Sequence, residues 1–204
     1  MQSAFPNAAH RRSSGIMKRG EIRDSGAVLH GHFIDGLSEA TVPIDPEQHQ
    51  LDVARLMEET GISERFVIEE LIALGIHAGM MRATMLVPAI HVAWANGFVE
   101  PKERSAVLQA AERHGISRES ATRRLLDLWL ETPPSPDLFQ AWRDFIASLH
   151  DVLDHVSYRS LEKSIISMVR NVAESAGGTR GVAATTVDEE RAIRDIQQTF
   201  MKCI

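Results

Sequence analysis

The sequence predicts an all-α protein: a compact bundle of seven or eight helices with two related halves, preceded by a mostly disordered N-terminal arm. Three observations predict this. Aromatic residues make up only 5% of the 204 residues, and Ala, Leu, Ile, Glu and Arg, which suit helices better than strands, are common. Apolar residues recur every three or four positions, which is typical of helices that bury one face. Glycine and proline residues separate these stretches.

Residues 1–45 are predicted to form the flexible arm, because they are rich in Gly, Ser, His and Pro and show no helical spacing. Residues 27–34 could form one extended element, but a lone strand does not stabilise itself. His30 and His32 could bind a transition metal only with a third ligand, which the sequence does not reveal. We therefore interpret them as solvated side chains. The helical domain is predicted over residues 46–204.

The first two helices are predicted from their ends. Asp45 can accept a backbone hydrogen bond before Pro46, which suits the first helical position, and Gly61 ends this helix. Ser63 is predicted to cap the second helix. The apolar residues that we expect on its buried face are Phe66, Val67, Leu71, Leu74 and Ile76.

A third helix is predicted over residues 81–96, where Pro88 should kink or break it. Two further helices are predicted to start at Glu100-Pro101 and at Ser117, and to end at Gly115 and before the proline-rich corner 132–136. A long helix with apolar spacing follows, with Leu138, Trp142, Phe145, Leu149 and Val152 on one face. The next carries Leu161, Ile165, Val169 and Val172.

The last helix is predicted to start after residues 177–186, because Thr186-Val187-Asp188-Glu189 has the form of a capping box. Its start matches an earlier corner of the chain. At Ala93-Trp94-Ala95-Asn96-Gly97 a helix stops at glycine, Val99 follows, and a carboxylate-rich first turn opens the next helix. Near the C-terminus the same order occurs at Ser175-Ala176-Gly177-Gly178, then Val187 and Glu189.

On these two corners, residues 80–202 resemble the tellurite-resistance TerB-like family. The residues that carry the resemblance include Trp94, Gly97, Glu103 and Val107 in the first corner, and Gly177, Gly178, Val187, Glu189, Glu190 and Ile193 in the second. The resemblance implies an all-helical bundle with two related halves and an acidic surface sometimes linked to metal binding or stress response. It implies no established catalytic reaction. In the family the position of Asn96 is typically aspartate.

The candidate metal ligands are the oxygen-bearing side chains at the two corners, which would hold a divalent cation: Asn96, Glu100, Glu103, Glu189 and Glu190. The EF-hand pattern of alternating oxygen ligands is missing, and hard cations prefer several charged oxygens, which Asn96 does not supply. The alternative is structural: Asn96 accommodates a left-handed helix end and the glutamates stabilise the helix starts. We favour this alternative, because capping and dipole effects of about 0.3–2 kcal/mol explain the residues without an ion.

An alternative function is DNA binding by a helix-turn-helix over residues 111–131, in which Arg118, Arg123 and Arg124 would meet the duplex. The acidic residues Glu119, Asp127 and Glu131 cancel much of the positive charge of this segment. The formal net charge of −6 also argues against a general phosphate-binding surface. Nucleic acid is therefore not the predicted partner.

No nucleophile elbow, phosphate-binding loop, dinucleotide fingerprint or zinc-protease helix occurs in the sequence. Cys203 is the only cysteine, so no internal disulfide forms, and its terminal position disfavours a catalytic thiol. The most apolar run, residues 71–81, is shorter than the roughly 20 residues of a membrane helix, and no signal peptide is recognisable. These observations predict a cytoplasmic protein without membrane contact.

We therefore expect a non-enzymatic TerB-like module that acts through protein contacts in a stress or tellurite-resistance type of response, with weak cation binding and no required cofactor. The identity of the protein partner and the oligomeric state do not follow from the sequence. Trp94 is predicted to pack at the junction of the two halves.

Overall fold

The structure, a computed structural model, describes residues 45–176 and 185–202, which contain eight α-helices and one 3₁₀ helix and no strand. The predicted all-α class is confirmed. The helices are α1 Pro46–Thr60, α2 Arg65–Ala73, the 3₁₀ helix Met81–Leu86, α3 Val87–Ala93, α4 Pro101–Arg113, α5 Ala121–Glu131, α6 Pro136–Val152, α7 His155–Ala176 and α8 Val187–Met201.

Several sequence predictions fall on residues outside the described ranges: the arm up to residue 44 with His30 and His32, the glycines Gly177 and Gly178, and Cys203. Among the helices of the described ranges, none combines the length and the apolar character that a membrane crossing requires.

Helix α1 begins and ends as its sequence predicts. Asp45 Oδ1 accepts a hydrogen bond from the backbone N–H of Glu47 at 3.0 Å, and Pro46 occupies the first position. At the other end Gly61 has a φ of 73° and donates its N–H to the carbonyl of Met57. Local chemistry therefore fixes both ends of this helix.

Two predicted helix starts and one predicted core residue are wrong. Helix α2 starts after Glu64 instead of Ser63, and α5 starts after Ser120, whose Oγ accepts from Arg123 N at 3.1 Å, instead of Ser117. Phe66 is 58% exposed. The buried face of α2 consists of Val67, Ile68, Leu71 and Ile72. Phe66 precedes that face by one residue, or about 100° of helical rotation, so its ring turns towards solvent.

The predicted break at Pro88 is confirmed, because the 3₁₀ helix stops at Leu86 and Pro88 lies in the first turn of α3. In α3, six of its seven residues are buried: Val87, Pro88, Ala89, Ile90, Val92 and Ala93. This short helix contacts α4, α6, α7 and α8 as well as the 3₁₀ helix. A helix that is apolar on nearly all sides belongs in the centre of a bundle, and α3 lies there.

Aromatic side chains join α6, α7 and α8 on one side of this centre. The ring of Trp142 lies 6.1 Å from that of Phe200, and Tyr158 lies 5.6 Å from Phe200, both edge to face. Phe139 stacks on Trp142 at 5.3 Å. Such pairs add directional contacts to the burial of apolar area, so these three helices form one packed unit.

We expect Gly61→Ala to destabilise the protein by about 1–2 kcal/mol, because an alanine is strained at a φ of 73°. The added Cβ would also lie 3.2 Å from Cγ1 of Val152. Gly79→Ala is the matched control, since Gly79 has a φ of 80° and open space around the added carbon. Urea unfolding should show a larger loss for Gly61→Ala, and equal losses would mean that the contact with Val152 costs nothing.

Candidate functional site

The first of the two predicted corners connects α3 to α4. Gly97 adopts the left-handed conformation there, with a φ of 91°. The Oδ1 atom of Asn96 accepts a hydrogen bond from Phe98 N at 3.2 Å, and this bond stabilises the turn around Gly97. Asn96 therefore has a structural role in this turn.

Each corner ends in a helix start that is held by a glutamate three residues after the N-cap. In α4, Glu103 Oε2 accepts from the backbone N–H of Glu100 at 2.8 Å. In α8, Glu189 Oε2 accepts from Thr186 N at 2.6 Å, and Thr186 Oγ1 accepts from Glu189 N at 3.2 Å. The capping box predicted at Thr186 is confirmed, and Glu103 holds its helix start in the same way.

These two glutamates are both buried and lie next to each other. Glu103 is 0% exposed and Glu189 is 1% exposed. Their carboxyl groups are within hydrogen-bonding reach of each other. Apart from the other carboxyl group, neither Oε1 atom has a hydrogen-bond partner in the described part of the chain. Two ionised carboxylates only accept hydrogen bonds, so a bond between them requires a proton on one of them.

The electrostatics place that proton on Glu103. Burial is the largest cause that raises the pKa of Glu103 to about 7, and the backbone N–H of Glu100 opposes it. The charge of Glu189 and its hydrogen bond to Glu103 raise the pKa further, and Glu100 adds a smaller effect in the same direction. We call Glu103 and Glu189 the carboxyl pair: two neighbouring buried carboxyl groups, of which Glu103 keeps its proton up to a pH of about 7.

Of the five predicted metal ligands, the structure brings Glu103 and Glu189 together, with Glu100 beside them at the start of α4. Glu190 lies instead 3.8 Å from Arg194 Nη1, and its side chain is 47% exposed. No cluster of three or more His, Cys, Asp or Glu side chains suited to a metal occurs within residues 45–176 and 185–202. Cation binding by the five residues stays a prediction.

The meeting of the two corners at Glu103 and Glu189 was missing from the sequence predictions, which treated each corner separately. One signal was available. Glu103 precedes the buried Val107 by four residues, and Glu189 precedes the buried Ile193 by four residues. Residues four apart share a helix face, so both glutamates belong to the buried face, whereas Glu190 is rotated away from it.

Trp94 connects the first corner to α5, and it is partly buried and packs against the core. Its Nε1 donates to the backbone carbonyl of Trp129 at 2.8 Å. An indole N–H needs an acceptor when it leaves water, and the end of α5 supplies one. The ring therefore lies at the surface of the core, where it can reach this carbonyl.

We expect Trp94→Phe to lower the free energy of unfolding by about 1 kcal/mol, because the substitution removes this hydrogen bond while it keeps most of the ring. The carbonyl of Trp129 can turn to water in the variant, which keeps the loss modest. Denaturant unfolding at constant m-value would measure it. A variant as stable as the wild type would mean that the hydrogen bond contributes nothing.

The arginines of the predicted helix-turn-helix are engaged within the protein. Arg118 pairs with Glu112 at 2.8 Å, and Arg123 pairs with Asp127 at 3.1 Å while its side chain is 13% exposed. Arg124 Nη1 donates to the carbonyl of Glu119 at 2.9 Å. These contacts favour a structural role above all for Arg123, because its ion pair is largely removed from solvent and a DNA contact would have to break it.

A scan against protein-family models finds no match to this chain, and searches of the curated proteins and of the solved structures find none either. The TerB-like assignment stays a prediction that rests on the residues of the two corners.

Proposed function

We propose that this chain is a non-enzymatic, TerB-like helical module that acts through protein contacts in a stress or tellurite-resistance type of response, with weak cation binding. The observation that carries the proposal is the carboxyl pair. It joins the two corners on which the resemblance rests, through glutamates at equivalent helix positions. A module with two related halves would be joined in this way, and the joined corners form a rigid base for contacts.

Each corner also presents a large apolar side chain to solvent. Phe98 is 55% exposed and Val187 is 72% exposed. One exposed apolar residue is ordinary on a protein surface. Here one such residue lies next to each of two helix starts that hydrogen bonds fix. A partner would therefore bind a surface that is already ordered. Preorganised surfaces bind with a smaller loss of conformational entropy.

The test is crosslinking in cells that express the full chain, followed by mass spectrometry. We expect a partner protein that crosslinks to the wild type and is lost from a Phe98→Asp/Val187→Asp double variant. Leu51→Asp is the matched control, because Leu51 is 51% exposed and lies on α1, which packs mainly on α2. A partner that is retained equally by all three proteins would refute contact through the corners.

The cation component has a separate test. The two Oε1 atoms of the carboxyl pair are the oxygens that would face an ion, and a bound ion raises stability by mass action. Melting temperatures with millimolar calcium, magnesium, zinc or manganese should rise, fall back with chelator, and stay constant in Glu103→Gln. If no ion changes the melting temperature of the wild type, cation binding is removed from the proposal.

A further inference from the structure

A polar groove lies between α4 and α7. Its volume is about 490 Å³, and Lys102, Ser105, Gln109, Arg113, Asn171 and Ser175 line it. A second hollow of about 290 Å³ shares Arg113 and Asn171 with it, and His114 and serines of α7 also line it. The two hollows therefore form one continuous depression along the two helices.

The groove is positively charged in a protein of negative net charge. Its two cations are Lys102 at one end and Arg113 at the other, and none of the described residues that line the two hollows is acidic. The formal net charge of the whole chain is −6. Arg104 and Arg159 elsewhere have carboxylate partners, whereas Lys102 and Arg113 have no ion pair with any residue that the structure describes. Unpaired cations in a depression give a local positive potential that attracts anionic groups.

Neutral polar side chains lie between the two cations. The amide of Asn171 makes no hydrogen bond to a residue of the described ranges, and an amide can both donate to and accept from a peptide backbone. Among the described residues, His114 supplies the one ring that lines the two hollows, and no Phe, Tyr or Trp lies there, so a single-stranded nucleic acid would find no row of rings on which successive bases could stack. The chemistry of the groove therefore favours an acidic polypeptide over a nucleic acid.

We propose that the groove between α4 and α7 binds an extended acidic segment of a partner protein, whose carboxylates pair with Lys102 and Arg113 and whose backbone meets Gln109 and Asn171. This inference rests on the proposed action through protein contacts and adds the surface and the chemistry of the partner.

The spacing of the two cations sets the spacing of the acidic residues. Lys102 and Arg113 are separated by 113 − 102 = 11 positions of α4, or about 16 Å along the helix axis. In an extended segment, residues i and i+4 lie on the same face and about 13 Å apart. The flexible stems of Lys102 and Arg113 cover the remaining distance. The matching segment therefore has two acidic residues four positions apart.

The experiment uses fluorescence anisotropy at low ionic strength with the full chain and a labelled peptide of Ser, Ala and Gly that carries two glutamates at i and i+4. We expect saturable binding that weakens as salt is added. Lys102→Glu and Arg113→Glu should each weaken it by about tenfold. Arg55→Glu is the matched control, because Arg55 is exposed on α1 and has no ion pair with a residue of the described ranges, and reversal of its charge should change the affinity by less than about twofold. Melting curves of all variants check that they fold.

A second peptide with the same two glutamates side by side has the same charge and should bind several times more weakly. Equal affinity for both peptides, equal losses in Arg55→Glu, or no saturable binding would each overturn the proposal. Tighter binding of a single-stranded oligonucleotide than of the i and i+4 peptide would overturn it in favour of a nucleic acid. If the peptide fails to bind while the Phe98→Asp/Val187→Asp variant still loses its crosslinked partner, the groove assignment alone is wrong and the proposed function stands.

Discussion

Raising the pH from about 4.5 to above 7 is expected to lower the free energy of unfolding by about 3 kcal/mol through Glu103 alone. The pKa of this carboxyl is raised from 4.5 to about 7 in the folded protein, first of all by burial. A pKa difference of one unit corresponds to about 1.4 kcal/mol. The carboxyl pair is therefore the largest expected source of pH-dependent stability in the described part of the chain.

The sign follows from proton binding in the two states. Below pH 4.5 Glu103 is protonated whether the chain is folded or unfolded, and the carboxyl pair contributes its full stability. Between pH 4.5 and 7 the folded protein keeps the proton and the unfolded chain loses it, so stability falls as the pH rises. Above pH 7 the folded protein also loses it, and a further rise in pH changes the stability no more through Glu103.

Glu103→Gln tests this expectation, because glutamine can accept from Glu100 N and donate to Glu189 without titrating. Near pH 5 the variant should match the wild type within about 1 kcal/mol, and near pH 8 it should be more stable by up to about 3 kcal/mol. Urea unfolding at several pH values measures the difference, and Glu58→Gln on the exposed face of α1 is the control. A difference between Glu103→Gln and the wild type that does not change with pH would contradict the shared proton.

Trp142→Ala is expected to cost about 3–5 kcal/mol, the usual range for a large aromatic residue removed from a core. Trp142 is 0% exposed, stacks on Phe139 and meets the edge of Phe200. Its loss would leave a cavity where α6 and α8 pack together. Denaturant unfolding with an unchanged m-value would measure the cost.

Trp142→Phe distinguishes the contribution of the aromatic ring to stability from that of the indole N–H group. Nε1 of Trp142 is buried and has no hydrogen-bond partner in the described part of the chain, so phenylalanine removes an unsatisfied donor along with some volume. We expect Trp142→Phe to retain most of the stability that Trp142→Ala loses. A cost below about 1 kcal/mol for Trp142→Ala would mean that the surrounding helices close the cavity.

The sequence predicts helix ends well where the chemistry is local. Pro46, Gly61 and Thr186 occupy the predicted positions, because a cap needs only its own helix. Ser63 and Ser117 fail because another residue, one to three positions later, starts the helix. A shift of one position along a helix also moves a side chain off the buried face. Phe66 is predicted to be buried, but its side chain is exposed to solvent.

The carboxyl pair and the placement of Trp94 depend on tertiary structure. The sequence identifies Glu103 and Glu189 as capping residues, but their meeting depends on how α4 and α8 pack in the bundle. The partial exposure of Trp94 depends on a carbonyl at the end of α5. Neither partner is close in the chain, so spacing and propensity alone do not predict these contacts.

The shared proton has a consequence for how the two positions can vary. Replacing Glu103 changes the environment of Glu189, although the two are far apart in the chain. The effects of substitutions at these sites should therefore be non-additive. In a library of folded variants, residues at positions 103 and 189 would be selected as combinations, and a neutral donor at one position would be compatible with a carboxylate at the other.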